Sequence, residues 1–177
     1  MPHPLVASST PYTLKEVSLY GSGGKPSWFM KLNPDGTVPV LVSSDEKDIY
    51  PDSELILDHI IKVSDLHSQH ENIDEIKVQS WRRNISQQII PIGKRAVLSG
   101  SKSDLYDLLE KLDDDVIGPF LCGKSISIAD CAAFPFLWRI NDEFGLDNNS
   151  KLKKWLNLCS ETDCFKKTVQ KSWWWWW

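Results

Sequence analysis

Residues 25–53 read KPSWFMKLNPDGTVPVLVSSDEKDIYPDS, and the reading of this stretch decides the fold. At its centre Thr37-Val38-Pro39-Val40-Leu41 is a short apolar run with a proline inside it. Proline gives no N–H to a β-ladder, so within a sheet it belongs at a strand's start, at an edge or at a bulge. A cis Val38–Pro39 peptide at the start of a strand suits the run, since a tertiary amide makes cis accessible. That arrangement leaves the Val38 backbone groups free for a ligand. Asn33-Pro34-Asp35-Gly36 just before is turn chemistry, with Gly36 able to take a positive φ. After the strand come a polar loop, 43–47, and a second short strand near 48–50. Pro51-Asp52-Ser53 then opens a helix, with Leu55, Ile56, His59, Ile60 and Val63 at helical spacing. Asp52 or Ser53 can cap that helix. Its N-terminus is a natural anion seat through its free N–H groups and dipole.

These residues carry a family resemblance. K-P-x-W-F from Lys25, N-P-x-G-x-V-P-V-L from Asn33, and Asp52-Ser53 before an apolar helix resemble the thioredoxin-like N-terminal domain of glutathione transferases. Farther on, GPFLCG at 118–123 and Ser127-Ile128-Ala129-Asp130 are similar to the family's helical-domain signature. The wording is nearest the omega, lambda and dehydroascorbate reductase classes. The resemblance implies an α/β plus all-α fold, a thioredoxin-like N-terminal domain over 1–64 followed by an all-helical domain over 73–172. It implies glutathione as co-substrate, seated at Val38, Pro39, Asp52 and Ser53, with Lys25 and Trp28 near its glycyl end. Ser53 and the backbone would take the γ-glutamyl carboxylate, and Asp52 the ammonium. It also implies a homodimer, or a partner protein covering an open sheet.

The chain departs from the family pattern at its start. The family begins strand–helix–strand, with a catalytic Ser, Tyr or Cys where the first strand meets the first helix. Here the equivalent of the second strand is expected from Tyr12 to Tyr20, bounded by Pro11 and Gly21. About ten residues precede it, whereas a crossover helix usually takes a dozen or more. The N-terminal domain is therefore expected to be truncated, with Leu5-Val6-Ala7 as a stub or another segment filling the place. The catalytic residue is left unassigned. A rival alignment puts Ser8-Ser9-Thr10-Pro11-Tyr12 at the catalytic turn, leaving nothing for the second strand. The expected function is a transferase-like protein with a degenerate or incomplete site that retains glutathione binding. The alternative is a non-catalytic scaffold or subunit of a larger assembly.

Composition narrows the classes further. The 177 residues are 41% hydrophobic and 25% charged, ordinary for a globular protein. A net charge of −4 argues against nucleic acid as a main partner, because phosphate binding relies on a basic surface. No window approaches the roughly 20 consecutive apolar residues of a transmembrane segment, and the first residues lack the pattern of a secretory signal. Four cysteines, Cys122, Cys131, Cys159 and Cys164, lie in the C-terminal half and fit a reducing compartment, cytoplasm or an organelle stroma or matrix. Their spacing matches no zinc motif, so no metal is expected. They read as buried or half-buried thiols.

Residues 64–72 read as a polar linker, and its His67 and His70 as solvated side chains. From Ile73 to Leu98 one long helix is expected, kinked or broken at Pro91-Ile92-Gly93. Arg82, Arg83, Lys94 and Arg95 lie along it and read as a solvated face. Ser103 is expected to cap a helix through Leu105, Leu108, Leu109 and Leu112. Asp113-Asp114-Asp115 ends it and reads as surface. Ser127 and Asp130 form a capping-box variant ahead of the most apolar helix, 129–144. Two further helices are expected at 151–158 and 163–171. The run Trp173 to Trp177 is a homopolymer, read as an artefact and set outside the fold.

Overall fold

The computed structural model describes residues 11–18, 24–63, 73–166 and 169. The expectations for Leu5-Val6-Ala7, Ser8 to Thr10, the linker with His67 and His70, and Trp173 to Trp177 fall outside these residues. The chain divides into two units, one within Ser8–His67 and one within Ser68–Trp177.

In the first unit, Pro26 precedes helix α1, Ser27–Leu32, where its fixed φ of −57° leads into the first turn. Phe29 is the buried residue of α1. Strands β1, Leu41–Val42, and β2, Ile49–Tyr50, pair antiparallel with Leu41 opposite Tyr50 and Val42 opposite Ile49. The hairpin is tied off by Ser43. Its N–H donates to the Asp48 carbonyl at 2.9 Å, and its hydroxyl to Asp45 Oδ1 at 2.7 Å. Helix α2, Ser53–Val63, buries Ile56, Leu57 and Ile60. The expected strand from Tyr12 is not formed over its described part, 11–18, which pairs with no strand among the described residues. Leu14 breaks the alternation and is 68% exposed, so this segment has no continuous apolar face to bury against a sheet.

The second unit is helical. Helix α3, Glu75–Asn84, runs through a π-helical segment, Ile85–Ile89, into α4, Ile90–Ser99. Of the kink or break expected at Pro91, the break does not occur. The π turn moves the hydrogen-bond register by one residue, with the Ile90 N–H reaching the Ile85 carbonyl. Pro91, which has no N–H, then falls in the first turn of α4, where none is needed. Gly100, at φ +73°, closes α4 with a left-handed cap. Helix α5, Ser103–Asp115, is followed by α6, Ile128–Phe144, α7, Ser150–Glu161, and the single turn α8, Asp163–Lys166. Ser103 is the first helical residue of α5 rather than its cap. Its hydroxyl meets the neighbouring Asp104 carboxylate at 3.4 Å.

The acidic triplet that ends α5 is more than surface. Asp113 Oδ1 accepts the Leu152 N–H at 2.8 Å and so caps α7 from outside it. Asp115 pairs with Lys77 of α3 at 3.4 Å, and Asp114 with Lys151 of α7 at 3.8 Å. Three consecutive carboxylates therefore reach two different helices, using orphan N–H groups and lysines that the sequence pattern does not link.

Asp130 organises the unit. It is fully buried, and its two oxygens accept four hydrogen bonds. Oδ1 takes the Leu121 N–H at 2.9 Å and the Trp155 Nε1–H at 2.8 Å. Oδ2 takes the Ser127 N–H and the Ser127 hydroxyl, each at 2.7 Å. The expected capping box at the start of α6 is present. Through Trp155, the same carboxylate also fixes α7 to α6. Burial pushes its pKa up, while the four donors hold it down. Phe134 of α6 packs on Trp155 and on Phe165, with ring centroids 6.4 and 4.7 Å apart.

Candidate functional site

The candidate site grows from the turn before β1. Asn33 ends α1, and its N–H donates to the Phe29 carbonyl at 2.8 Å. Gly36 has φ +66°, as the turn sequence requires, and its N–H donates to the Asn33 carbonyl at 2.9 Å. The Lys25 side chain crosses this glycine. A Cβ at Gly36 would lie 2.9 Å from Lys25 Nζ and 3.3 Å from Met30 Sδ. Hydrogen in place of a side chain is what lets Lys25 lie against the turn.

Next in the chain, the Val38–Pro39 peptide is cis. Val38 is 44% exposed and Pro39 half-buried. Asp52 is the N-cap of α2, its Oδ1 accepting the Glu54 N–H at 2.8 Å and its carbonyl the Ile56 N–H at 2.9 Å. Of the two capping candidates the structure uses Asp52. Ser53, half-buried, is the first helical residue. The two segments are joined by one bond, from the Thr37 hydroxyl to the Pro51 carbonyl at 3.3 Å. Behind it Asn33, 3% exposed, donates from Nδ2 to the Thr37 carbonyl at 2.9 Å and to Thr37 Oγ1 at 3.0 Å. Lys25, Val38, Pro39, Asp52 and Ser53 are thus tied to one turn and one helix end. Trp28 stands on the exposed side of α1, edge-on to Phe29, with the Lys15 ammonium 3.8 Å from its ring centroid.

Sequence reasoning treated Asn33 only as a turn former and did not single out Thr37. Both are polar residues four apart, which is the signal for an Asn side chain closing on a downstream backbone carbonyl. Asn33→Ala is expected to destabilise the protein by about 2 kcal/mol, because it deletes two hydrogen bonds from a buried amide. Urea unfolding checks this, and an unchanged midpoint would show that the network contributes nothing.

None of the cysteines lies in this unit. All four are free thiols of the helical unit, and burial raises the pKa of Cys122 to about 12 and those of Cys131 and Cys159 as well. Among the described residues no group of three or more His, Cys, Asp or Glu is placed to hold a metal. No helix among them is long and apolar enough to cross a membrane.

Comparison with known proteins agrees with this architecture. The family model for the glutathione S-transferase N-terminal domain matches residues 7–63, and that for the C-terminal domain matches residues 95–157. The chain is 31% identical over 142 residues to glutathione S-transferase DHAR3, chloroplastic, of Arabidopsis thaliana, a match spanning 77% of this chain and 51% of that protein. It is 30% identical over 138 residues to probable glutathione S-transferase DHAR1, cytosolic, of Oryza sativa subsp. japonica, spanning 77% of this chain and 62% of that one. The chain thus spans about half to three fifths of the length of these curated relatives. The crystal structure of a glutathione transferase homologue from Lodderomyces elongisporus, with two GSH per subunit, superposes with a TM-score of 0.75. That match has 17% identity and covers 92% of this chain and 88% of that one, which shows the shared fold. A small sheet with its helices, followed by a helical unit, matched in both parts by the family's two domain models, places this chain in the glutathione S-transferase superfamily.

Proposed function

We propose that this chain binds glutathione in its first unit. The observation that carries the reading is the Thr37–Pro51 hydrogen bond, which holds the Val38–Pro39 segment beside the helix end capped by Asp52. In this reading the free N–H groups of α2 and the Ser53 hydroxyl take the γ-glutamyl carboxylate. The Asp52 oxygen not engaged in capping takes the ammonium, and the Val38 backbone pairs with the cysteinyl residue. Lys25, laid across Gly36, takes the glycyl carboxylate, with Trp28 at that end. The same reading sets the domains at 1–64 and 73–172. The free thiols support a reducing compartment, cytosol or an organelle stroma.

Calorimetry with glutathione on this chain tests the proposal. Ser53→Ala is expected to weaken binding about tenfold, the loss of one charge-assisted hydrogen bond. Millimolar or weaker binding by the unaltered chain would overturn it. We further infer that conjugation is slow. Catalysis in this fold requires a hydroxyl or thiol fixed against the glutathione sulfur, and geometry within about an ångström decides such effects. The cysteines stand in the other unit, with raised pKa values for the three named above. Ordinary turnover of a chloronitrobenzene, lost in Ser9→Ala, would instead establish a serine-type site at 8–12.

Ile49, 41% exposed on β2, and Leu55, 49% exposed on α2, favour a second reading in which a partner chain covers this unit. Sedimentation of the purified chain distinguishes the two, a monomer at micromolar concentration excluding a stable homodimer.

A further inference from the structure

A polar relay in the first unit sets the direction of two peptide groups. Asn33 is buried, and its amide nitrogen carries two protons. One goes to the Thr37 carbonyl at 2.9 Å and the other to Thr37 Oγ1 at 3.0 Å. Because Oγ1 accepts from Asn33, its own proton is directed away from that amide, and it reaches the Pro51 carbonyl at 3.3 Å. One buried side chain therefore orders a run of bonds that ends just before α2.

Both carbonyls in the relay belong to peptide units of candidate site residues. The Thr37 carbonyl shares its unit with the Val38 N–H, and the Pro51 carbonyl shares its unit with the Asp52 N–H. Each unit is planar and trans, so its N–H points opposite to its carbonyl. Holding the carbonyl in place therefore aims the N–H. Among the described residues, neither the Val38 N–H nor the Asp52 N–H has a hydrogen-bond partner. Two donors are thus aimed by a buried amide and left open. Donors fixed in advance bind an acceptor without the cost of ordering them on contact.

We propose that Asn33 and Thr37 are positioning residues for glutathione, acting through the backbone and touching no ligand themselves. The proposal rests on the glutathione reading above. The Thr37 hydroxyl aims the Asp52 N–H at the γ-glutamyl carboxylate. The bond from Asn33 to the Thr37 carbonyl aims the Val38 N–H at the cysteinyl residue.

The full chain is titrated with glutathione by calorimetry. Cysteinylglycine, which lacks the γ-glutamyl group, is titrated by the NMR signal of the Val38 amide. Thr37→Val keeps the side-chain shape and removes the hydroxyl at an exposed position. It should weaken glutathione binding about tenfold and cysteinylglycine binding by less than about threefold. Thr37→Ser keeps the hydroxyl and should bind glutathione within about threefold of the unaltered chain. Asn33→Ala releases both peptide units and should weaken both ligands. A purely structural role would weaken both ligands alike in Thr37→Val. Suppose that the unaltered chain binds glutathione. Equal affinity in Thr37→Val, equal losses of the two ligands in that variant, or no recovery in Thr37→Ser would then each overturn the proposal and leave the glutathione reading standing. An unaltered chain that binds no glutathione would remove that reading and this proposal together.

Discussion

Asp130→Ala is expected to destabilise the protein by about 3–5 kcal/mol, well beyond the loss of an ordinary helix cap. The cap alone, one hydrogen bond at the start of α6, is worth about 1 kcal/mol. The larger figure follows from the other donors. Removing the carboxylate leaves the Leu121 N–H, the Ser127 N–H and the Trp155 Nε1–H buried without their acceptor. Each such loss costs about 1–3 kcal/mol. Asp130→Asn should cost nearly as much, although it keeps the shape. Each oxygen of Asp130 faces at least one N–H, so whichever way the amide turns, its NH₂ meets a backbone or indole N–H that can only donate. Urea midpoints of the two variants decide the matter. A loss near 1 kcal/mol in Asp130→Ala would mean that the Trp155 and Leu121 bonds add nothing to the cap.

A second large effect concerns alkaline pH. Burial, and after it the charge of Asp130, raises the Cys122 thiol to about 12, and the same two causes raise Cys131 and Cys159. In the unfolded chain these thiols ionise near pH 8.5. Above that pH the unfolded state has released protons that the folded state still holds, so unfolding becomes easier as the pH rises. The stability these thiols contribute is fully present below about pH 8.5 and drains away as the pH climbs towards their folded values. Each thiol contributes a slope of up to about 1.4 kcal/mol per pH unit, so three together give about 4. Urea midpoints at pH 7, 8, 9 and 10 should fall steeply only in the upper half of the range. The fall should shrink by about a third in Cys122→Ala. A flat profile to pH 10, or fast modification of all three thiols in the native protein at pH 7.5, would contradict the assignment. The same chemistry separates these cysteines from catalysis, since the thiolate is the nucleophile and these sites oppose it.

Much of the fold was legible because its signals are local. Pro39 inside an apolar run, Gly36 in the preceding turn, Asp52 ahead of a 3.6-residue apolar pattern, and the Ser127/Asp130 box each act over a few residues. Their conformations follow from the dihedral and hydrogen-bonding limits of those residues. The order of these pieces resembles that of the glutathione transferases, and it is this resemblance that implied the two-part architecture. The same locality marked Val38, Pro39, Asp52 and Ser53 as candidates.

What the sequence could not decide lies in bonds between distant residues. Whether 11–18 pairs as a strand depends on a neighbour, and no alternation within the segment supplies one. Pro91 predicts a kinked or broken helix by its own chemistry, but the π turn before it leaves the proline where no N–H is needed, and the helix runs on. Asp113, Asp114 and Asp115 read as surface because nothing near them in sequence needs a carboxylate. The Leu152 N–H, 39 residues away, and Lys77, 38 residues back from Asp115, became partners only when the helices packed. The Thr37–Pro51 bond, and the second pair of donors on Asp130, arise in the same way. Local composition determined which elements form. The orphan N–H groups and buried carboxylates that pair across those elements were settled only by tertiary structure, because burial removes the water that would otherwise satisfy them.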